Sequence, residues 1–281
     1  MPLKMYSEGD ISLPSIKNII AIAAGKGGVG KSTVTVNLAL ALSRLGYAVG
    51  VMDADIYGPS IRKMLPEDKP PTQQGQLINP ALCGNIKMIS MAYFRKDSEA
   101  SVVRAPIANG IISQFIKTVL WGNLDFLLID FPPGTGDIQL TLSQQAQLTG
   151  AIMVTTPQEV AVMDVRKAIN LFDQTHIPIL GIVENMSYYQ EQSSGNKIYL
   201  FGKGGGERLA KESGVPCLGA IPLDAALSEC GDSGKSIFDQ QNSISQHFLT
   251  LAQALCHQID STKSVASESM NSFEIIWKEM S

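Results

Sequence analysis

The sequence predicts an α/β fold: a mainly parallel, twisted sheet with helices on both faces, in a single domain. Two observations carry this. Short apolar runs alternate along the chain with segments whose apolar residues recur three and four apart, the order of strand, crossover helix and parallel strand. The 281 residues are 44% hydrophobic and only 17% charged, with a mean hydropathy of +0.09. So apolar a chain must bury its strands on both faces, as helix-covered parallel sheets do.

In chain order, strands are expected at residues 19–24, 48–52, 126–129, 151–154, 179–183 and 218–221, each ending at a turn signal or a polar loop. Helices are expected at 32–45, 107–120, 160–172 and 244–257. A further short strand at 85–90 is expected to pair inside an insertion. Residues 67–80 hold Pro70, Pro71 and Pro80 with Gln73, Gln74 and Gln76, and read as a mobile surface loop. The main domain spans 19–258, after an N-terminal extension at 1–18. Residues 259–281 read as a polar linker and a short amphipathic helix, with Phe273, Ile276, Trp277 and Met280 at helical spacing.

Charge and composition exclude several functions. With 22 Lys and Arg against 26 Asp and Glu the net charge is −4, which offers nucleic acid no basic footprint. No apolar run approaches the roughly 20 residues of a membrane span, and Glu8 and Asp10 stand where a signal peptide would be basic and then apolar. A cytoplasmic protein without membrane attachment is expected. Cys83, Cys217, Cys230 and Cys256 are scattered and read as reduced thiols. His176, His247 and His257 lack metal-ligand spacing.

The strongest chemical signal is Gly25-Lys26-Gly27-Gly28-Val29-Gly30-Lys31-Ser32-Thr33, which matches G-x-x-x-x-G-K-[ST] between an apolar strand and a helix. Glycines let backbone N–H groups converge on phosphate oxygens, and the helix N-terminus adds its positive end. Lys31 is expected to reach the β- and γ-phosphates and the Ser32 hydroxyl to ligate Mg2+, which makes the fold that of a P-loop NTPase. Asp130 closes the run at 126–129, where a carboxylate can hold the metal's water shell. Asp53 and Asp55, two apart, project to the same side of an extended backbone. One is placed to touch the metal shell and the other to orient the attacking water. The loop Pro132-Pro133-Gly134-Thr135-Gly136-Asp137 reads as a nucleotide-sensitive switch beside the γ-phosphate, or as a plain turn.

Lys26 makes the phosphate loop resemble the deviant form of the MinD/ParA class, in which such a lysine crosses a dimer interface to the partner's phosphates. Together, Asp53-Ala54-Asp55-Ile56-Tyr57-Gly58-Pro59-Ser60, the Ile129-to-Asp137 segment, Glu184-Asn185-Met186-Ser187 and Phe201-Gly202-Lys203-Gly204-Gly205-Gly206 resemble the Mrp/ApbC family of ATPases, which carry or assemble iron-sulfur clusters. The resemblance implies a homodimeric Mg2+-ATP hydrolase, with iron-sulfur donors or apo-protein recipients as partners. It implies that Lys26, Lys31 and Asp55 are catalytic, Asp55 orienting water. Asp53 and Asp130 would hold Mg2+ through water. It further implies that Asn185 reads the adenine edge, with Pro222, Leu223 and Asp224 in the base pocket; Asn185 also reads as a turn-forming residue after a strand.

The sequence departs from that family where a C-x-x-C pair able to bind a shared [4Fe-4S] cluster is usual. Here residues 188–196 are Tyr-Tyr-Gln-Glu-Gln-Ser-Ser-Gly-Asn. Cys217 and Cys230 are the substitute candidates, although packing is the more economical reading of both. The alternative function is a positioning or partner-switch ATPase of the MinD/ParA kind that binds no cluster itself.

Overall fold

The structure is a computed structural model and describes residues 16–56, 58–93, 105–191, 193–239 and 243–279. Residues 1–15 of the predicted extension lie outside the described residues, as do Tyr57 and Met280.

The first strand, β1 (Ile16–Ala24), runs into the phosphate loop, and α1 (Lys31–Arg44) leaves it. Gly46, at φ 91°, supplies the left-handed residue that ends α1 and turns the chain into β2 (Val49–Asp53). Then come α2 (Ile61–Met64), β3 (Thr72–Gln74), β4 (Leu77–Asn79), β5 (Ala81–Cys83) and β6 (Ile86–Ser90). Next are α3 (Ala105–Thr118), β7 (Leu124–Asp130), α4 (Asp137–Gln145), β8 (Gly150–Thr155), α5 (Glu159–Gln174) and β9 (Ile179–Glu184). The chain closes with β10 (Tyr189–Gln190), β11 (Lys197–Ile198), α6 (Gly205–Ser213), β12 (Cys217–Ala220), α7 (Ala225–Ser233) and α8 (Ile244–Glu279).

Eight strands form one sheet in the order β12-β9-β8-β1-β7-β2-β6-β5. Every pairing in it is parallel except β5 with β6. The sheet is buried on both faces, and β1 shows how: Ile20, Ile22 and Ala24 join one core, while Ala21 and Ala23 join the other. Leu38 and Leu42 of α1 and Phe248, Leu251 and Leu255 of α8 fill the first. Phe115 of α3, Leu142 of α4, Val165 and Phe172 of α5 and Leu209 of α6 fill the second. Each large side chain so buried contributes roughly 1.5–3 kcal/mol. At the amino end of the sheet, Lys17 Nζ lies 2.7 Å from Asp125 Oδ1, joining β1 to β7 across the surface.

The structure corrects four expectations. The strand at 85–90 belongs to the main sheet, pairing parallel with β2 from Gly50↔Lys87 to Asp53↔Ser90. Its apolar residues Ile86 and Met88 join one core and Ile89 the other, so the sheet covers both its faces. The segment 67–80 is not one loop but carries the β3–β4 hairpin, turned at Gly75 with φ 62°. Helix α4 begins at Asp137, inside the segment read as loop. The linker at 261–270 is helical, because α8 continues unbroken to Glu279. Nothing between 244 and 279 is glycine or proline, and Ser261, Thr262 and Ser264 donate back to the carbonyls of His257, Gln258 and Ser261, which spares their hydroxyls any need for a loop.

Candidate nucleotide site

The site lies at the carboxyl edge of the sheet, where β1 is flanked by β7 and β8. The connection from β1 runs toward β2 and that from its neighbour β8 toward β9, in opposite directions along the sheet, and the crevice beyond the strand ends at such a reversal is the usual ligand position in open α/β sheets. A cavity of about 430 Å³ opens there. Its lining includes Lys26, Gly27, Gly28, Gly30, Lys31, Ser32 and Thr33 of the phosphate loop, with Asp55 and Pro133.

Two glycines of the loop are dictated by close approach. A Cβ on Gly25 would sit 2.1 Å from the backbone carbonyl carbon of Asp164 in α5. One on Gly30 would sit 2.2 Å from Asn185 Nδ2, and Gly30 has φ 80° as well. A side chain at either position forces the loop off its neighbour.

Beneath the loop lies a buried charge cluster. Parallel register sets Asp53 of β2 beside Asp130 of β7, and both carboxylates are fully buried. Asp130 Oδ2 accepts from Ser32 Oγ at 2.7 Å, and Oδ1 accepts from Thr35 Oγ1 at 2.7 Å. Lys31 Nζ stands 2.8 Å from Asp130 Oδ2 as an ion pair, outside hydrogen-bonding geometry, and no other acceptor among the described residues meets this buried ammonium. Such a donor is costly to leave unsatisfied, and a phosphate oxygen in the cavity is the group that would satisfy it. Asp53 accepts from Ser90 Oγ at 2.9 Å and from the Asp55 backbone N–H at 3.2 Å. Burial, and then the charge of Asp130, push its carboxyl up to about 7. Two carboxylates forced together out of water, with a hydroxyl beside them, form an oxygen donor set suited to Mg2+.

The structure separates the carboxylate that ends β2 from the one that follows it. Asp53 is sealed under the loop, whereas Asp55 lines the cavity wall and caps the backbone N–H of Gly58 at 3.1 Å. Lys26 lines the cavity without an ion pair among the described residues. The loop at 132–137 is tied to β1 by Gly134 N–H donating to Ala24 O at 3.3 Å.

Asn185 is buried, and its Nδ2 donates to the Val29 carbonyl oxygen at 2.9 Å. Pro222, Leu223 and Asp224 line a different cavity, of about 380 Å³, beside Tyr189 and His247. Asp224 caps α7 there, accepting from Ala226 N–H at 2.8 Å. The far wall of the phosphate cavity is instead Lys63 and Met64 of α2 with Leu227, Ser228, Gly231 and Asp232 of α7. No motif singles these out. Thr35 and Ser90 were also missed, although Thr35 falls one helical turn after Lys31 and so faces Asp130.

Cys217 is exposed at the start of β12, and Cys230 is buried inside α7. Their acidic surroundings share no member: Glu184 and Glu207 beside Cys217, and Glu229, Asp239 and Asp224 beside Cys230. Protein atoms crowding each sulfur keep water from it, even where the Cys217 residue as a whole is exposed, and raise both thiols, which disfavours the thiolate a metal needs. Among the described residues no three His, Cys, Asp or Glu side chains are grouped to hold a metal ion, and no helix is long and apolar enough to cross a membrane.

A glycine-rich phosphate loop between strand and helix, a buried lysine beside the cavity and a strand-end aspartate define a P-loop NTPase. A family model described as ParA, NUBPL iron-transfer P-loop NTPase, matches residues 15–256, and the chain belongs to that family. A Synechocystis protein named iron-sulfur cluster carrier protein is 47% identical over 91% of this chain and 74% of its own length. One of the same name from Methanocaldococcus jannaschii is 45% identical over 90% and 88%. Among solved structures, a nucleotide-binding protein from Archaeoglobus fulgidus in complex with ADP superposes with a TM-score of 0.72 at 38% identity, covering 83% of this chain and 92% of that one. The cell division ATPase MinD of Pyrococcus furiosus shares the fold, with a TM-score of 0.65 at 24% identity over 85% and 98%.

Proposed function

We propose that this protein is an Mg2+-dependent ATPase that works as a homodimer in iron-sulfur cluster assembly or transfer. The observation that carries the ATPase reading is the buried Lys31 ammonium, held 2.8 Å from Asp130 and turned toward a cavity walled by backbone of the phosphate loop. The names of the relatives and of the matching family support the iron-sulfur role.

In this reading Lys31 binds the β- and γ-phosphates, and loop N–H groups fix the chain of phosphates in line with Asp55. Ser32, Asp53 and Asp130 would hold Mg2+, the aspartates through water. When bound, the ion neutralises charge on the phosphate oxygens. Asp55, the carboxylate on the cavity wall, orients the attacking water. Lys26 reaches into the partner's site, so that hydrolysis waits for dimerisation; positioning and charge stabilisation supply the rate. The cluster is cargo. Because Cys217 and Cys230 stand in separate surroundings, its thiolates come from the donor or recipient protein.

Phosphate release and nucleotide titration on the wild type and Lys26→Gln test the engine. The variant is expected to bind ATP with unchanged affinity and to lose turnover, and unchanged turnover would overturn the trans-lysine role. Anaerobic reconstitution with iron and sulfide, alongside a Cys217→Ser, Cys230→Ser double variant, tests the cargo. The isolated protein is expected to hold no stoichiometric cluster. A cluster present in the wild type and lost in the double variant would return the ligand role to these thiols.

A further inference from the structure

We propose that Gln139 is a positioning residue that clamps the loop at 132–136 when the phosphate cavity holds a triphosphate, its amide nitrogen keeping Pro132 O and its amide oxygen taking the Gly136 N–H; this rests on the ATP reading above. Gln139 is 1% exposed, on the first turn of α4. One end of its amide meets Pro132 O at 2.5 Å. A carbonyl oxygen only accepts, so that end is the nitrogen. The other end, Oε1, lies buried without a hydrogen-bond partner. A buried acceptor left bare is costly, so the side chain holds a place for one more N–H.

The chain offers that N–H three residues back. Gly136 is the N-cap of α4 and has no side chain to cap with, and nothing among the described residues accepts from its N–H. Gln139 stands at the third helical position, from which a glutamine reaches back to the N–H of the N-cap residue in a capping box. One amide can thus hold both ends of the loop, Pro132 after β7 and Gly136 before α4. The stretch between them is free to shift. Gly134 has φ 95°, and a Cβ on Gly134 or Gly136 would meet nothing within 4 Å, so packing does not hem in either backbone. The loop follows directly on Asp130, lines the phosphate cavity at Pro133 and bonds to Ala24 O through the Gly134 N–H at 3.3 Å. Through these residues it senses what the cavity holds. Ser143, one turn along the same face of α4, is buried with its hydroxyl unpartnered too, and is the rival donor to Oε1.

Hydrogen exchange at the Gly136 amide, read by mass spectrometry over overlapping peptides, is compared in Mg2+-ADP and in Mg2+ with a non-hydrolysable ATP analogue. In the wild type this amide is expected to exchange about tenfold more slowly with the analogue, the protection of one hydrogen bond. Equal exchange in the two nucleotides would overturn the proposal on the wild type alone, whether or not any variant folds. Calorimetric titration of Gln139→Met, which keeps the length of the side chain without its amide, is expected to show unchanged affinity for ADP and about tenfold weaker binding of the analogue. A group that acts only in the clamped state affects only the ligand that selects that state. Equal weakening of both nucleotides would therefore make Gln139 a structural contact and sink the clamp. Ser143→Ala is expected to match the wild type in both measurements; loss of the exchange difference there would assign Oε1 to the serine instead. A wild type that binds neither nucleotide would refute the ATP reading, and this inference with it, whereas binding without an exchange difference removes the clamp alone.

Discussion

Two lysine–aspartate pairs stand at opposite ends of β7, alike in separation and opposite in surroundings. Lys17 and Asp125 are 2.7 Å apart with side chains 68% and 25% exposed; Lys31 and Asp130 are 2.8 Å apart at 7% and 0%. At the first pair, water screens the attraction and the long lysine loses entropy, so the pair contributes under about 1 kcal/mol. At the second, both charges have left water at a cost their attraction alone does not return. That pair persists because Ser32 and Thr35 hydroxyls complete the shell of Asp130. Equal distances therefore mean different things: the exposed pair fastens two strands, and the buried one keeps a charge ready for a ligand.

The largest expected break in this comparison is Lys31→Ala. Phosphate release should fall by about 10²–10³-fold, and denaturant melts should show a loss of about 3 kcal/mol from the uncompensated Asp130. Lys17→Ala should leave turnover at the wild-type rate; an equal loss in both variants would erase the distinction. Next comes Gly30→Ala, expected to cost roughly 1–3 kcal/mol in urea unfolding through its left-handed backbone and its collision with Asn185. Thr35→Val follows, stripping Asp130 Oδ1 of its donor for about 1–2 kcal/mol by the same measurement.

The smallest effect sharpens the exposed side. The hydrogen bond from Lys17, and then that from the Ala48 N–H, hold the Asp125 carboxyl below the usual carboxylate range. A depressed folded value means the contribution is present above the ordinary aspartate pKa, near 4, and is lost as pH falls through the lowered value. Asp125→Asn should thus cost under about 1 kcal/mol at neutral pH, with wild-type and variant stabilities converging in acid. A gap that stayed constant across the pH series would show that the charge is not the cause.

The buried side of the comparison was legible in the sequence because its chemistry permits few residues. Only glycine fits at Gly25 and Gly30, and only a strand-end carboxylate can meet Lys31, so motif and geometry coincide. The same holds for the strands buried on both faces, whose apolar runs locate the parallel sheet. What stayed hidden depends on partners distant in sequence. Ser90 matters only because β6 pairs with β2, and a strand that short carries no mark of its neighbour. Leu227 to Asp232 meet the phosphate loop because α7 packs on α2, a contact between helices that no periodicity records. Asn185 carried a signal in the sequence, while its bond to the Val29 carbonyl oxygen is visible only in the fold. The helical run through 261–270 was misread because a polar composition resembles a linker until its hydroxyls are seen to bond backward.

The ends of β2, β6 and β7 lie flush, with Asp53 level with Ser90 on one side and Asp130 on the other. Alternation along a strand turns this alignment into a matter of counting. One residue gained or lost within β2 or β7 would rotate Asp53 or Asp130 to the opposite face and empty the pocket of a carboxylate. The loops that follow have no such arithmetic. Descendants of this chain are thus free to exchange side chains along these strands and to lengthen the connections between them, while the number of residues in each strand is held constant.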